Sequence, residues 1–179
     1  MAQFETNSIF KALSFAAHKH RHQLRKGSRP IPYINHPIAL ADLLVNTGNI
    51  YDSETIAAAL LHDTVEDTDT TFEELEEEFG PVISQLVAEV TDDKGVPKEE
   101  RKRRQTEHAS SLSRSARLVK LADKTCNLRD ILQDPPGGWP LERKQQYFDW
   151  AKSIVDKIRG INVELENAFD AAFAERPRQ

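Results

Sequence analysis

The feature that most narrows the fold is a spacing. Apolar residues recur three and four positions apart in one segment after another, and strand-like alternation is nearly absent. Ile9, Phe10, Leu13, Ala16 and Ala17 predict a helix from about Asn7 to Lys26, broken by GSRPIP at 27–32. Pro37 suits a first helical position, which makes His36 the expected N-cap of a helix running to about Asn46 and stopping at Gly48. Another helix begins near Asp52-Ser53 and carries the stretch LLHDTVED, Leu60 to Asp67. Thr71 with Glu74 three positions on is a capping-box signal for TFEELEEEF, which closes at Gly80. Pro81 then opens a helix through Val90. After the connection Asp92–Pro97 come a basic helix, KEERKRRQTEH, and an apolar-periodic one from Ala116 to Leu132. The loop QDPPGGWP precedes two more helices, about Leu141 to Arg159 and Asn162 to Ala174. An all-α bundle of about eight or nine helices is expected, and 179 residues suit a single domain whose core spans about 9–173.

Composition excludes several partners. The net charge of -5 advertises neither nucleic acid nor an anionic membrane. No apolar run approaches the ~20 residues needed to span a bilayer, and the first residues lack the basic and apolar segments of a secretory signal. A single cysteine, Cys126, permits no intrachain disulfide and reads as a small buried residue in a reducing compartment. A soluble, cytoplasmic protein is expected.

The chemistry concentrates in LLHDTVED. On a continuous helix His62, Glu66, Asp63 and Asp67 fall at roughly 0°, 40°, 100° and 140°, opposite Ala57, Ala58, Leu61 and Val65. A solvated face explains acids alone, but adjacent His-Asp directly after an apolar run points to a metal-and-carboxylate site. Asp123 lies in a largely apolar helix, where an unpaired carboxylate is costly, so it needs a cationic or metallic partner. Asn127 sits one turn beyond on the same face. His36 by itself reads as a capping or packed histidine. Taken with His62, Asp63 and Asp123 it completes a nitrogen and oxygen set that suits a divalent ion with open positions. Glu66 and Asp67 are then placed to exchange protons or orient water. Arg25, Lys26, Arg29 and the basic helix from Lys98 fit a strongly anionic substrate, although that helix also reads as a solvated face laced with charge pairs. His18, His20 and His22 read as surface or anion-facing residues, and Glu73–Glu78 as a solvated face. Spacing supports a phosphohydrolase without naming its substrate.

The order His36, His62-Asp63, Asp123 resembles the HD superfamily of metal-dependent phosphohydrolases. RKGSRPIPYINHP, ALLHDTVEDT and LVKLADKTCNLRDI, with VTDDK, PKEERKR, GGWP and QQYFDWA, are more specifically similar to the hydrolase domain of the Rel/Spo alarmone enzymes, and to the stand-alone small hydrolases typified by metazoan SpoT homologues. The resemblance implies a Mn2+-dependent hydrolase that removes pyrophosphate from the ribose 3′ position of ppGpp or pppGpp. It implies His36, His62, Asp63 and Asp123 as metal ligands and Glu66 and Asp67 as the catalytic acidic pair. Arg25, Lys26, Lys98, Asn127, Arg143 and Tyr147 match positions lining the nucleotide pocket. Two alternatives stay open: a phosphatase of the same type acting on another ribose phosphate such as that of NADPH, and a non-catalytic nucleotide sensor.

Overall fold

Residues 2–29 and 31–178 are described in a computed structural model. Pro30, inside the expected 27–32 loop, lies outside them. The helices are α1 (Ala2–Lys19), α2 (Asn35–Asp42, followed by a wider π turn over Leu43–Thr47), α3 (Ser53–Leu61), the single turn α4 (Thr64–Asp67), α5 (Phe72–Phe79), α6 (Pro81–Val90), α7 (Lys98–His108), α8 (Arg114–Gln133), α9 (Leu141–Val155) and α10 (Val163–Ala174). Nine of these exceed a single turn, as the apolar spacing predicts, and the one strand-like pairing among the described residues is an isolated bridge between Leu24 and Pro32.

Local chemistry sets half of the helix starts. The side chains of Asp52, Thr71, Ser113 and Asn162 each accept a backbone N–H from the first turn they precede, satisfying donors that have no partner inside the helix. Gly80 takes φ +83°, which closes α5 and lets Pro81 open α6 directly.

Three expected boundaries move, one of them the helix expected to reach Arg159, which ends at Val155. α1 stops at Lys19 instead of Lys26, because 20–25 pairs with the returning chain: Arg25 N–H donates to Ile31 O and Tyr33 N–H to Gln23 O, each at 2.9 Å. Between Ala17 and Leu24 no apolar residue rewards a continued helix. His36 is not the N-cap either. Turn hydrogen bonds from Asn35 N–H to Pro32 O and His36 N–H to Tyr33 O start the winding earlier, so Ile34 takes the cap position and His36 lies in the first turn of α2.

Two apolar clusters form the core, one around α8, α9 and α10 with Leu121, Leu128, Phe148 and Phe169, the other around α1, α3, α5 and α6 with Ala12, Leu61, Leu75 and Val87. α3 lies between them. Thr55 through Leu61 are all buried, so α3 is enclosed on every side and is not the half-apolar, half-acidic helix the angular reading predicts. Among the described residues no helix is long and apolar enough to cross a membrane.

Candidate active site

Three elements deliver the polar residues to one point: the first turn of α2 brings His36, the end of α3 brings His62, and the middle of α8 brings Asp123. LLHDTVED is not one helix. The winding breaks at His62-Asp63 and resumes as α4. His62 Nδ1 donates to Ala59 O at 2.8 Å and Thr64 Oγ1 to Leu61 O at 2.7 Å, so side chains cover carbonyls that a continuing helix would have used.

His36, His62 and Asp123 are buried and each offers one ligand atom within 4.8 Å of the other two. His36 Nε2 stands 3.3 Å from Asp123 Oδ1, and His62 Nε2 stands 2.9 Å from Asp63 Oδ2, which also accepts the Tyr33 hydroxyl at 2.5 Å. His62 Nε2 is buried without a hydrogen-bond partner. With Nδ1 committed as donor, Nε2 faces a carboxylate across 2.9 Å, an arrangement that calls for a positive charge, a proton or a metal ion, between them. Burial works against charging His62, yet the carboxylates of Asp63 and Asp123 outweigh it and raise its pKa. Burial likewise favours neutral Asp63 and Asp123, and is outweighed by His62 beside Asp63 and by Lys124 beside Asp123, so both are held below the usual range. His36 is lowered, chiefly by burial. Two imidazoles and the Asp123 carboxylate that converge here, with Asp63 Oδ2 beside His62, fit a divalent ion.

Glu66 and Asp67 leave α4 toward different neighbours. Glu66 accepts a long 3.4 Å hydrogen bond from Asp92 N–H and lies 3.8 Å from Arg101. Burial, then the charges of Asp63 and Asp92, raise its pKa. Asp67 pairs with Lys94, and its carbonyl accepts Gln23 Nε2 at 2.5 Å.

Three cavities that share lining residues surround these groups. One of about 200 Å³ holds His36, His62, Asp63, Glu66, Asp67 and Asp123. A second, about 360 Å³, is lined by Arg25, Lys26, Tyr33, Asn127, Trp139 and Tyr147. The third, about 680 Å³, carries Lys26, Lys98, Arg101, Lys102, Arg143 and Tyr147. Thus Lys26 and Tyr147 border the second and third, while Lys98 and Arg143 belong to the third. Arg25 and Asn127 are committed locally: Arg25 donates to Asp130 and, at 2.9 Å, to Asn127 Oδ1, and Asn127 Nδ2 donates to Asp123 Oδ1 at 2.5 Å. Lys98 is lowered by burial and then by the charges of Lys102, Arg143 and Lys26, so this wall gathers cations that repel one another.

The cations of α7 divide between two faces. Arg103 and Arg104 pair with Glu100 and Glu107, while Lys98, Arg101 and Lys102 line the third cavity. The histidine reading needs correction. His18 and His22 are exposed, but His20 is buried at 2% exposure, with its ring 4.8 Å from that of Tyr33. Expected at the surface, it is covered instead by the chain's return to Tyr33. Sequence reasoning also passed over Tyr33 and Lys124, although each is adjacent in sequence to a quoted motif residue or lies within PYINHP and LADK.

Against known proteins, a family profile described as HD domain matches residues 12–145. Guanosine-3′,5′-bis(diphosphate) 3′-pyrophosphohydrolase MESH1 of Danio rerio is 52% identical over 171 residues, covering 96% of this chain and 95% of that protein. The Homo sapiens MESH1 is 51% identical over 172 residues, covering 96% of each. A solved structure, described as a metazoan orthologue of SpoT that hydrolyses ppGpp and plays a role in starvation responses, superposes with a TM-score of 0.92 at 49% identity, covering 94% of this chain and 95% of that one.

Proposed function

The chain belongs to the HD-domain family, and from that premise we propose that it is a guanosine-3′,5′-bis(diphosphate) 3′-pyrophosphohydrolase using Mn2+, with residues 1–179 forming one hydrolase domain. It takes ppGpp or pppGpp to GDP or GTP and pyrophosphate. The observation that carries this reading is the bare, buried His62 Nε2 facing Asp63, beside His36 and Asp123, with a wall of mutually repelling cations next to it.

His36, His62, Asp63 and Asp123 would hold the ion. When bound there, it supplies a Lewis acid for a phosphoryl oxygen and acidifies water. In the hydrolysis, water adds to the phosphorus bonded to the 3′ oxygen, the bond from phosphorus to that oxygen breaks, and pyrophosphate leaves while the 3′ oxygen gains a proton. Glu66, buried enough to bind a proton above the usual range of its carboxyl, exchanges the proton on the side of the cationic cavity. Asp67 borders both the small cavity and the Tyr33–Trp139 cavity, where it orients the ribose side of the reaction. Tyr33 fixes Asp63 through its hydroxyl. Lys26, Arg25, Asn127 and Tyr147 frame the nucleoside, and Lys98 with Arg143 neutralises phosphate that the ion does not touch. All six ligand and catalytic positions being filled argues for turnover and against a sensor.

Incubating ppGpp with the purified protein and Mn2+, with anion-exchange separation of the products, tests this. GDP and pyrophosphate in equal amounts are expected; release of orthophosphate, or no release, would refute it.

A further inference from the structure

Asp123 and Lys124 are neighbours on α8, so their side chains leave the helix about 100° apart, yet both border the small cavity that holds the proposed ligands. The Lys124 ammonium donates to Asp123 Oδ2 at 2.8 Å, and its side chain is 5% exposed. The other carboxylate oxygen, Oδ1, accepts Asn127 Nδ2 at 2.5 Å and lies 3.3 Å from His36 Nε2. The two oxygens therefore have separate partners: Oδ2 a cation, Oδ1 an amide and an imidazole. Lys124 is itself held in place. Its Nζ sits 4.6 Å from the centre of the Trp150 ring, and the indole Nε1 of Trp150 donates to Lys102 O at 3.2 Å, tying the ring to α7.

We propose that Lys124 is a positioning residue for the hydrolysis, acting through Asp123. By occupying Oδ2 it leaves Oδ1 as the one oxygen that faces the imidazoles, and it withdraws charge from the carboxylate so that an ion bound to it remains strongly electron-accepting. This rests on the metal-dependent reading above. The consequence has a sign. Removing a merely structural ion pair loosens the site and weakens metal binding. Removing a charge-withdrawing neighbour leaves a more basic carboxylate and deletes a like charge near the ion, so binding tightens while turnover falls.

The test compares wild-type protein with Lys124→Met, Lys124→Arg and Lys124→Gln. Free Mn2+ is followed by electron paramagnetic resonance, thermal unfolding is recorded without metal, and ppGpp turnover is measured at saturating Mn2+. Lys124→Met is expected to bind Mn2+ about tenfold more tightly, about 1.4 kcal/mol of relieved charge repulsion, and to lose about tenfold or more in kcat, the scale on which loss of a group supporting a ligand lowers activity. Lys124→Arg, which keeps donor and charge, should return both quantities to near wild type. Lys124→Gln, which keeps a donor without the charge, should follow Lys124→Met and carries the comparison if the methionine variant does not fold. Weaker Mn2+ binding in the uncharged variants, unchanged kcat at saturating Mn2+, or no rescue by arginine would each overturn the proposal. Absence of Mn2+ binding by the wild-type protein would instead remove the metal-dependent reading on which it stands.

Discussion

Replacing Lys98 by methionine separates recognition of a doubly phosphorylated ribose from general support of the site. Lys98 stands at the start of α7 among Lys26, Lys102 and Arg143, and burial, followed by their charges, lowers its pKa. In the ligand-free protein this grouping is repulsive, so deleting one member should leave Tm unchanged or slightly higher. With substrate the sign reverses. A hydrogen bond between charged partners is worth about 1.5–3 kcal/mol. Lys98 is largely exposed, so screening brings the effect just below that range, to about 1.4 kcal/mol or a tenfold rise in KM. Lys98 reaches the cationic cavity but not the one containing His62 and Asp123. The loss should therefore fall on ppGpp and spare a nucleotide phosphorylated at one ribose position. The assay is pyrophosphate or phosphate release over a substrate series at two ionic strengths, with thermal unfolding of the same preparation. The difference between wild type and Lys98→Met should shrink at high salt, since the Debye length falls from about 10 Å at 0.1 M to about 3 Å at 1 M. A lower Tm with unchanged KM, or equal losses on both substrates, would refute the argument. The cations would then support the fold or the general field only.

His62→Ala, measured by metal analysis and turnover, should lose bound Mn2+ and activity together; full occupancy in the purified variant would remove His62 from the ligand set. Glu66→Gln should keep its metal and lose roughly a hundredfold in kcat, as removal of a general acid or base does, and near-normal turnover at saturating substrate would exclude that role. Cys126 is buried, and burial followed by the charge of Asp123 pushes its thiol up to about 12. At pH 8 its thiolate fraction is roughly 10⁻⁴, so iodoacetamide should label it only after unfolding, as followed by mass spectrometry. Because folding raises this pKa, the associated stability is complete below the unfolded value of about 8.5 and is lost as pH climbs toward the folded one. Rapid labelling of the native protein would contradict the burial.

The sequence by itself determined what is written locally. Apolar residues at helical spacing, together with Asp52, Thr71, Gly80 and Pro81, specify where most helices begin and end, because caps and turn residues act on the backbone within a few positions. The adjacent His62-Asp63 and the carboxylate at Asp123 inside an apolar helix also mark a polar centre, since neither is tolerated there without a partner. Only the tertiary structure decided how these groups meet. Enclosure of α3 by two apolar clusters, not an amphipathic face, presents His62 at its end, and the break before α4 follows from side chains that cover its last carbonyls. The return of the chain over 20–33 buries His20 and brings Tyr33 onto Asp63, a contact across 30 positions that no local pattern encodes. Lys124 shows the limit most plainly. A helical wheel sends it about 100° away from Asp123, but a flexible four-carbon stem, packed over Trp150 from another helix, bends the ammonium back onto the carboxylate.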